Sequence, residues 1–192
     1  MIGSSFVRCR MGTCATCDGY IRTVKFAFFN SDSSFNVSAH FRCAPVVLGS
    51  DNLKAAVLYI YIINRNADRG TELAEVISKN TAAAAEYFPW QGTAEIPVET
   101  DILINATCVG LHPDVDAFPD INYDCIREGM PVCDVVFNPV MPLFLKKAEA
   151  KGAKVITGIG MLVNQGALNF EWWTGVKAPA DVMMDALVKE FE

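Results

Sequence analysis

The sequence predicts a doubly wound, mostly parallel α/β domain, incomplete in its first unit and finished by helices at the C-terminus. Three observations predict it. From Pro45 onward, short apolar runs alternate with amphipathic stretches, as strands alternate with helices in a parallel sheet. The runs are short and largely apolar, as buried strands are. The residues just after each run turn polar or glycine-rich, and a doubly wound sheet binds its ligand beyond the carboxyl ends of its strands.

The elements follow in order. Residues 1–44 hold four of the seven cysteines and the polar stretch Asn30-Ser-Asp-Ser-Ser34, and are expected to be an irregular or remnant segment. The α/β domain is expected over 45–192. A short strand over 46–48 ends at Gly49. A second, β-branched and aromatic, covers 59–63 and ends at Asn64. A helix over 68–77 places Leu73, Val76 and Ile77 on one stripe, with Asp68 as its N-cap. Strands over 101–105 and 133–137 follow. The next helix, 142–151, has proline in its first turn and Gly152 past its end. A strand over 154–157 and helices over 161–173 and 179–191 complete the chain. No internal repeat or low-complexity segment is present.

Bulk properties exclude several classes. Of 192 residues, 52% are apolar and 20% charged, with a mean hydropathy of +0.24, which excludes disorder as the main state. A net charge of −6 argues against nucleic acid as the main partner. No apolar run reaches the roughly 18 residues of a bilayer span, and residues 1–8 lack a signal core. A cytoplasmic protein without a membrane partner is expected, its cysteines thiols or metal ligands.

Asn64-Arg65 closes the second strand, where a dinucleotide fold meets the adenosine ribose. A guanidinium there suits a 2′-phosphate, offering a planar fork to its oxygens. Further on stand Asn105-Ala-Thr-Cys-Val-Gly110, Asp134-Val-Val-Phe-Asn-Pro139, Gly158-Ile-Gly-Met-Leu-Val-Asn-Gln-Gly-Ala167 and Trp173-Thr-Gly175. With these motifs, residues 45–192 resemble the C-terminal, cofactor-binding part of shikimate dehydrogenases, a Rossmann-like domain.

That resemblance implies NADP-dependent reduction of 3-dehydroshikimate to shikimate, in aromatic amino-acid biosynthesis. It implies that Asn64 and Arg65 hold the 2′-phosphate and that Asn105, Ala106 and Thr107 line the cofactor cleft. Gly158 and Met161 would lie by the nicotinamide, Gly158 and Gly160 letting the backbone approach that ring. Gln165 would hydrogen-bond a shikimate hydroxyl, its amide both donating and accepting. Phe137 stands at the substrate side where the family usually has tyrosine, so that hydroxyl is lost.

Two departures bear on activity. Gly49 is followed by Ser50-Asp51-Asn52 rather than a second glycine, and 45–66 is shorter than the ~30 residues of a βαβ unit. Weak cofactor binding is expected. The family's Ser-x-Thr-x-Pro-x-Lys segment, which supplies the lysine of the acid/base pair, is absent. Thr16-Cys17-Asp18-Gly19 echoes the segment that supplies its aspartate, which would make Asp18 catalytic. A catalytically silent NADP-binding module is therefore an alternative.

A different class of function is open at the N-terminus. Cys9, Cys14 and Cys17 have the C-x4-C-x2-C spacing of plant-type [2Fe–2S] ferredoxins, with Cys43 available as a fourth ligand. Cys108, Cys125 and Cys133 are expected in the core. The last two helices carry Phe170, Trp172, Trp173, Met183, Met184, Leu187 and Phe191, an apolar patch expected to drive homo-oligomerisation.

Overall fold

The structure, a computed structural model, describes residues 59–81 and 83–191 in full and the backbone of 24–30, 57 and 58. Six parallel strands form one sheet in the order β3-β2-β1-β4-β5-β6. They are β1 (Val24–Asn30), β2 (Val57–Asn64), β3 (Ala84–Pro89), β4 (Ile102–Ala106), β5 (Pro131–Asp134) and β6 (Lys154–Ile156). The helices are α1 (Ala67–Asn80), α2 (Leu143–Glu149), α3 (Ile159–Thr174) and α4 (Ala180–Phe191). The strand order reverses between β1 and β4, the switch point at which doubly wound sheets open a ligand crevice.

Both faces of the sheet are covered, which is why its strands read as unbroken apolar runs. Successive side chains of β2 point to opposite faces. Ile60 and Ile62 pack with Ala74 and Ile77 of α1, whereas Tyr61 and Ile63 pack with Leu103, Val132 and Phe144. All four β2 residues are at most 5% exposed.

The sheet begins earlier than the sequence suggests. Val24–Asn30 lies within the stretch expected to be irregular, yet it pairs with β2 on one side and β4 on the other. Its valine and phenylalanines suit a strand, but nothing local distinguishes it from its polar surroundings. Residue 45 is thus not where the sheet begins. The strand expected over 46–48, with Gly49, falls outside the described residues.

Three further differences have local causes. Helix α1 is capped by Asn66, not Asp68: the Arg69 N–H donates to Asn66 Oδ1 at 2.9 Å, leaving Asp68 inside the first turn. β3 escapes a periodicity reading because an edge strand carries exposed and half-buried residues, and it ends in proline. β5 ends at Asp134 rather than Phe137, since Val135 to Pro139 leave the ladder and turn over the sheet's end. Helix α2 ends at Glu149, two residues before the expected 151, and Gly152 takes φ +82° beyond it.

Helices α3 and α4 pack together at Gly166, where a Cβ would lie 3.0 Å from Met183 Cε. The Phe191 ring lies 5.9 Å from that of Phe137, tying α4 to the loop after β5. No helix among the described residues is long and apolar enough to cross a membrane.

Candidate functional site

Parallel strands end on one side, and here their ends align in register. Pro89 pairs with Asn64, Asn64 with Asn30, and Asn30 with Ala106, so one row crosses four strands. The loop after β5 continues it, the Val135 N–H donating to Asn105 O at 3.0 Å. Gly158, after β6, abuts that loop in turn. Asn64, Arg65, Asn105, Ala106, Thr107, Phe137 and Gly158 are therefore gathered on one edge of the sheet.

At the β2 end, Asn64 is 1% exposed and its side chain is committed internally. Its Oδ1 accepts from the Asn66 N–H at 2.7 Å, and its backbone carbonyl accepts from Trp90 N–H and Tyr87 hydroxyl. Asn64 thereby fixes the turn that leads past Arg65 into α1. Arg65 itself is exposed, its guanidinium over the Trp90 ring at 5.4 Å from the centroid. Trp90 is held in place by its indole N–H donating to Asp120 O at 3.1 Å. The arginine at the predicted position is thus presented outward on an aromatic platform.

The β4 end is a polar knot. Asn105 is fully buried and all its side-chain capacity is engaged. Its Oδ1 accepts from the Thr107 N–H at 3.1 Å and hydroxyl at 2.7 Å. Its Nδ2 donates to Asp134 Oδ1 at 3.0 Å and, more weakly, to Val109 O at 3.5 Å. Thr107 Oγ1 accepts from the Val109 N–H. Asn105 is therefore turned inward and holds the turn after β4, and half-buried Ala106 packs against the cluster beneath α1.

Asp134 is the residue that motif reading quoted but gave no role. It is 4% exposed, and Oδ1 also accepts from the Val136 N–H at 2.9 Å, while Oδ2 is buried without a hydrogen-bond partner. Burial pushes its carboxyl up from 3.8 to about 7, against the donors at Val136, Asn105 and Val135. An aspartate at the last position of a buried strand is the signal that could have singled it out.

At the β6 end, a Cβ on Gly158 would come within 2.4 Å of Val136 O and 2.6 Å of Val135 O. The glycine there is required by the β5 loop. Gly160, in contrast, has nothing among the described residues within 4 Å of a would-be Cβ. Met161 is half-buried in the first turn of α3, and Gln165 is exposed two turns in. Phe137 is half-buried against Phe191.

Two ion pairs, Lys79–Glu75 and Lys151–Asp124, are exposed and lie off this row. Asp18, Gly49, Cys9, Cys14, Cys17 and Cys43 lie outside the described residues. Among the described residues no group of three His, Cys, Asp or Glu could hold a metal ion. Cys108 is exposed rather than core, following Thr107 out of the β4 knot; Cys125 and Cys133 are half-buried, and burial pushes the Cys125 thiol up to about 11.

Residues 158–188 match the family model of the shikimate 5′-dehydrogenase C-terminal domain. A shikimate dehydrogenase (NADP+) of Desulforamulus reducens is 39% identical over 133 residues, covering 68% of this chain and 46% of that protein. The chain spans about half the length of the curated relatives it matches. Among solved structures, the ligand-free 5-ketofructose reductase of Gluconobacter sp. strain CHM43 is similar with a TM-score of 0.71 and 33% identity, over 87% of this chain and 57% of that one. Shikimate 5-dehydrogenase of Thermus thermophilus, in complex with NADP(H) and shikimate, is similar with a TM-score of 0.57 and 29% identity, over 85% and 54%. In sequence and in fold, this chain is similar to the C-terminal part of the shikimate dehydrogenases.

Proposed function

We propose that this chain forms the NADP-binding part of a cytoplasmic oxidoreductase of the shikimate dehydrogenase type, which reduces 3-dehydroshikimate to shikimate in aromatic amino-acid biosynthesis. The observation that carries the reading is the outward guanidinium of Arg65, anchored on Trp90 at the β2 end. It stands on the same strand-end row as Ala106.

These residues fit the cofactor. NADP, when bound, supplies or accepts a hydride at its nicotinamide. Arg65 offers two parallel N–H groups to a 2′-phosphate, and Asn64 holds the turn that aims it. Asn105 and Thr107 hold the turn after β4, beside Ala106. Gly160, uncrowded by the described residues, admits a flat ring beside Met161. Gln165, exposed on α3, donates to and accepts from a vicinal diol, and Phe137 gives the substrate side an apolar wall.

Carbonyl reduction also needs a proton, which resemblance assigns to a Lys–Asp pair. Asp18 is the candidate for the aspartate, and the lysine segment is missing from this sequence. A second reading is a silent module that binds NADP without turnover. Likeness to a 5-ketofructose reductase makes 5-ketofructose the control substrate.

Calorimetric titration with NADP and NAD tests the reading. Arg65→Ala is expected to weaken NADP binding by about tenfold to a hundredfold and to leave NAD binding unchanged. Equal loss for both cofactors would remove Arg65 from the 2′-phosphate. NADPH oxidation with 3-dehydroshikimate then separates the enzyme from the module, which binds but stays at the background rate.

A further inference from the structure

At the strand-end row the Asp134 side chain joins the end of β4 to the loop after β5. Asp134 Oδ1 accepts from the Asn105 side chain at 3.0 Å and from the Val136 N–H at 2.9 Å. Through Asn105 it reaches the Thr107 N–H and hydroxyl, and so the turn to Val109. Through Val136 it holds the loop against which Gly158 is pressed. The same two loops meet again where the His112 N–H donates to Asn138 O at 2.9 Å.

We propose that Asp134 is the positioning residue of the cofactor cleft, one carboxylate oxygen fastening the loop after β4 to the loop after β5. The proposal rests on the NADP reading for its ligand, but the fastening belongs to the protein alone. Asp134 reaches the loop after β4 through Asn105 and holds the loop after β5 directly at the Val136 N–H.

The other oxygen makes this fastening sensitive to pH. Among the described residues Oδ2 is buried with no hydrogen-bond partner, so the neutral acid fits that site better than the ionised carboxylate. The groups acting on Asp134 are its burial and the donors at Val136, Asn105 and Val135; no charged side chain among the described residues figures with them. Tyr123, on the 3-10 turn Tyr123–Cys125, is the titratable side chain that senses the Asp134 charge, and its hydroxyl is occupied by Pro119 O at 3.1 Å. With the carboxyl raised from 3.8 to about 7, the folded chain holds a proton between those values that the unfolded chain has lost. The group's contribution to stability is therefore full below about pH 4 and is lost as pH rises to about 7.

The test measures amide hydrogen exchange at Thr107, Val109 and Val136, corrected for intrinsic rates, together with NADP titration, at about pH 6 and about pH 8. In the unmodified chain, protection and NADP affinity are expected to fall together, affinity by roughly tenfold across the interval. Asp134→Asn keeps an acceptor for Asn105 and Val136 but cannot ionise, so both readouts should become level with pH. Asp134→Leu should lower protection at all three amides at either pH; should it not fold, the asparagine variant decides alone. An asparagine variant that follows the unmodified chain through the pH change, or a folded leucine variant with full protection, overturns the proposal. Exchange that responds to pH in a chain that binds NADP at neither pH upholds the fastening and removes the cofactor reading instead.

Discussion

At the scale of single residues, two glycines two positions apart carry different constraints. Gly158 is pressed onto the carbonyls of Val135 and Val136, whereas Gly160 is uncrowded by the described residues. Gly158→Ala is expected to cost about 1–3 kcal/mol in a denaturant melt, because a methyl there must push the β5 loop aside. Gly160→Ala should leave the melt within about 0.5 kcal/mol apart from helix propensity, which itself favours alanine. The sequence displays both as one Gly-x-Gly pattern, and only the fold tells the packing glycine from the uncrowded one. Asn64 teaches the same lesson. Its position at a strand end was legible, but its direction was not: a side chain at the last paired residue points either to the crevice or inward, and one residue of register decides which. Asp134 was legible as part of a motif, yet its burial comes from loops that turn over the strand end, which no local pattern announces.

At the scale of elements, the strand-to-helix turn after β2 is built from two asparagines in series. Asn64 Oδ1 accepts from the Asn66 N–H, and Asn66 Oδ1 caps α1. Asn66→Ala is expected to destabilise the chain by about 1 kcal/mol, read as a lower denaturant midpoint with an unchanged slope. Asp68→Ala should cost less, since an acidic side chain inside the first turn contributes only through the helix dipole. Sequence periodicity recovers β2, α1, β4, α2, β6, α3 and α4, and misses or misplaces β3 and β5 for different reasons. β3 lies on an edge and is half solvated, and β5 is followed by apolar residues that cover the sheet instead of extending it.

At the scale of the whole molecule, α3 and α4 pack on one another and leave Trp172 67% and Trp173 82% exposed, with Val176 of the connection between them and Val182 of α4 exposed as well. Two bare indoles in adjacent positions are a large apolar area for a solvated surface. Light scattering over a concentration series is expected to show self-association, and Trp172→Lys with Trp173→Lys to abolish it while leaving the circular dichroism unchanged. A monodisperse monomer in the unmodified chain would contradict this. The doubly wound architecture and its ligand edge were readable from the alternation of runs, because parallel strands and crossover helices impose it. The membership of Val24–Asn30 was not, since its partners stand far away in the chain. That separation reaches into biosynthesis. On the ribosome the Val24–Asn30 ribbon emerges first and waits, receiving one flank when residue 64 has cleared the exit tunnel and the other only with residue 106. Throughout that interval its unsatisfied edge is exposed to other nascent chains, so the yield of native protein should depend on translation speed and on chaperone cover.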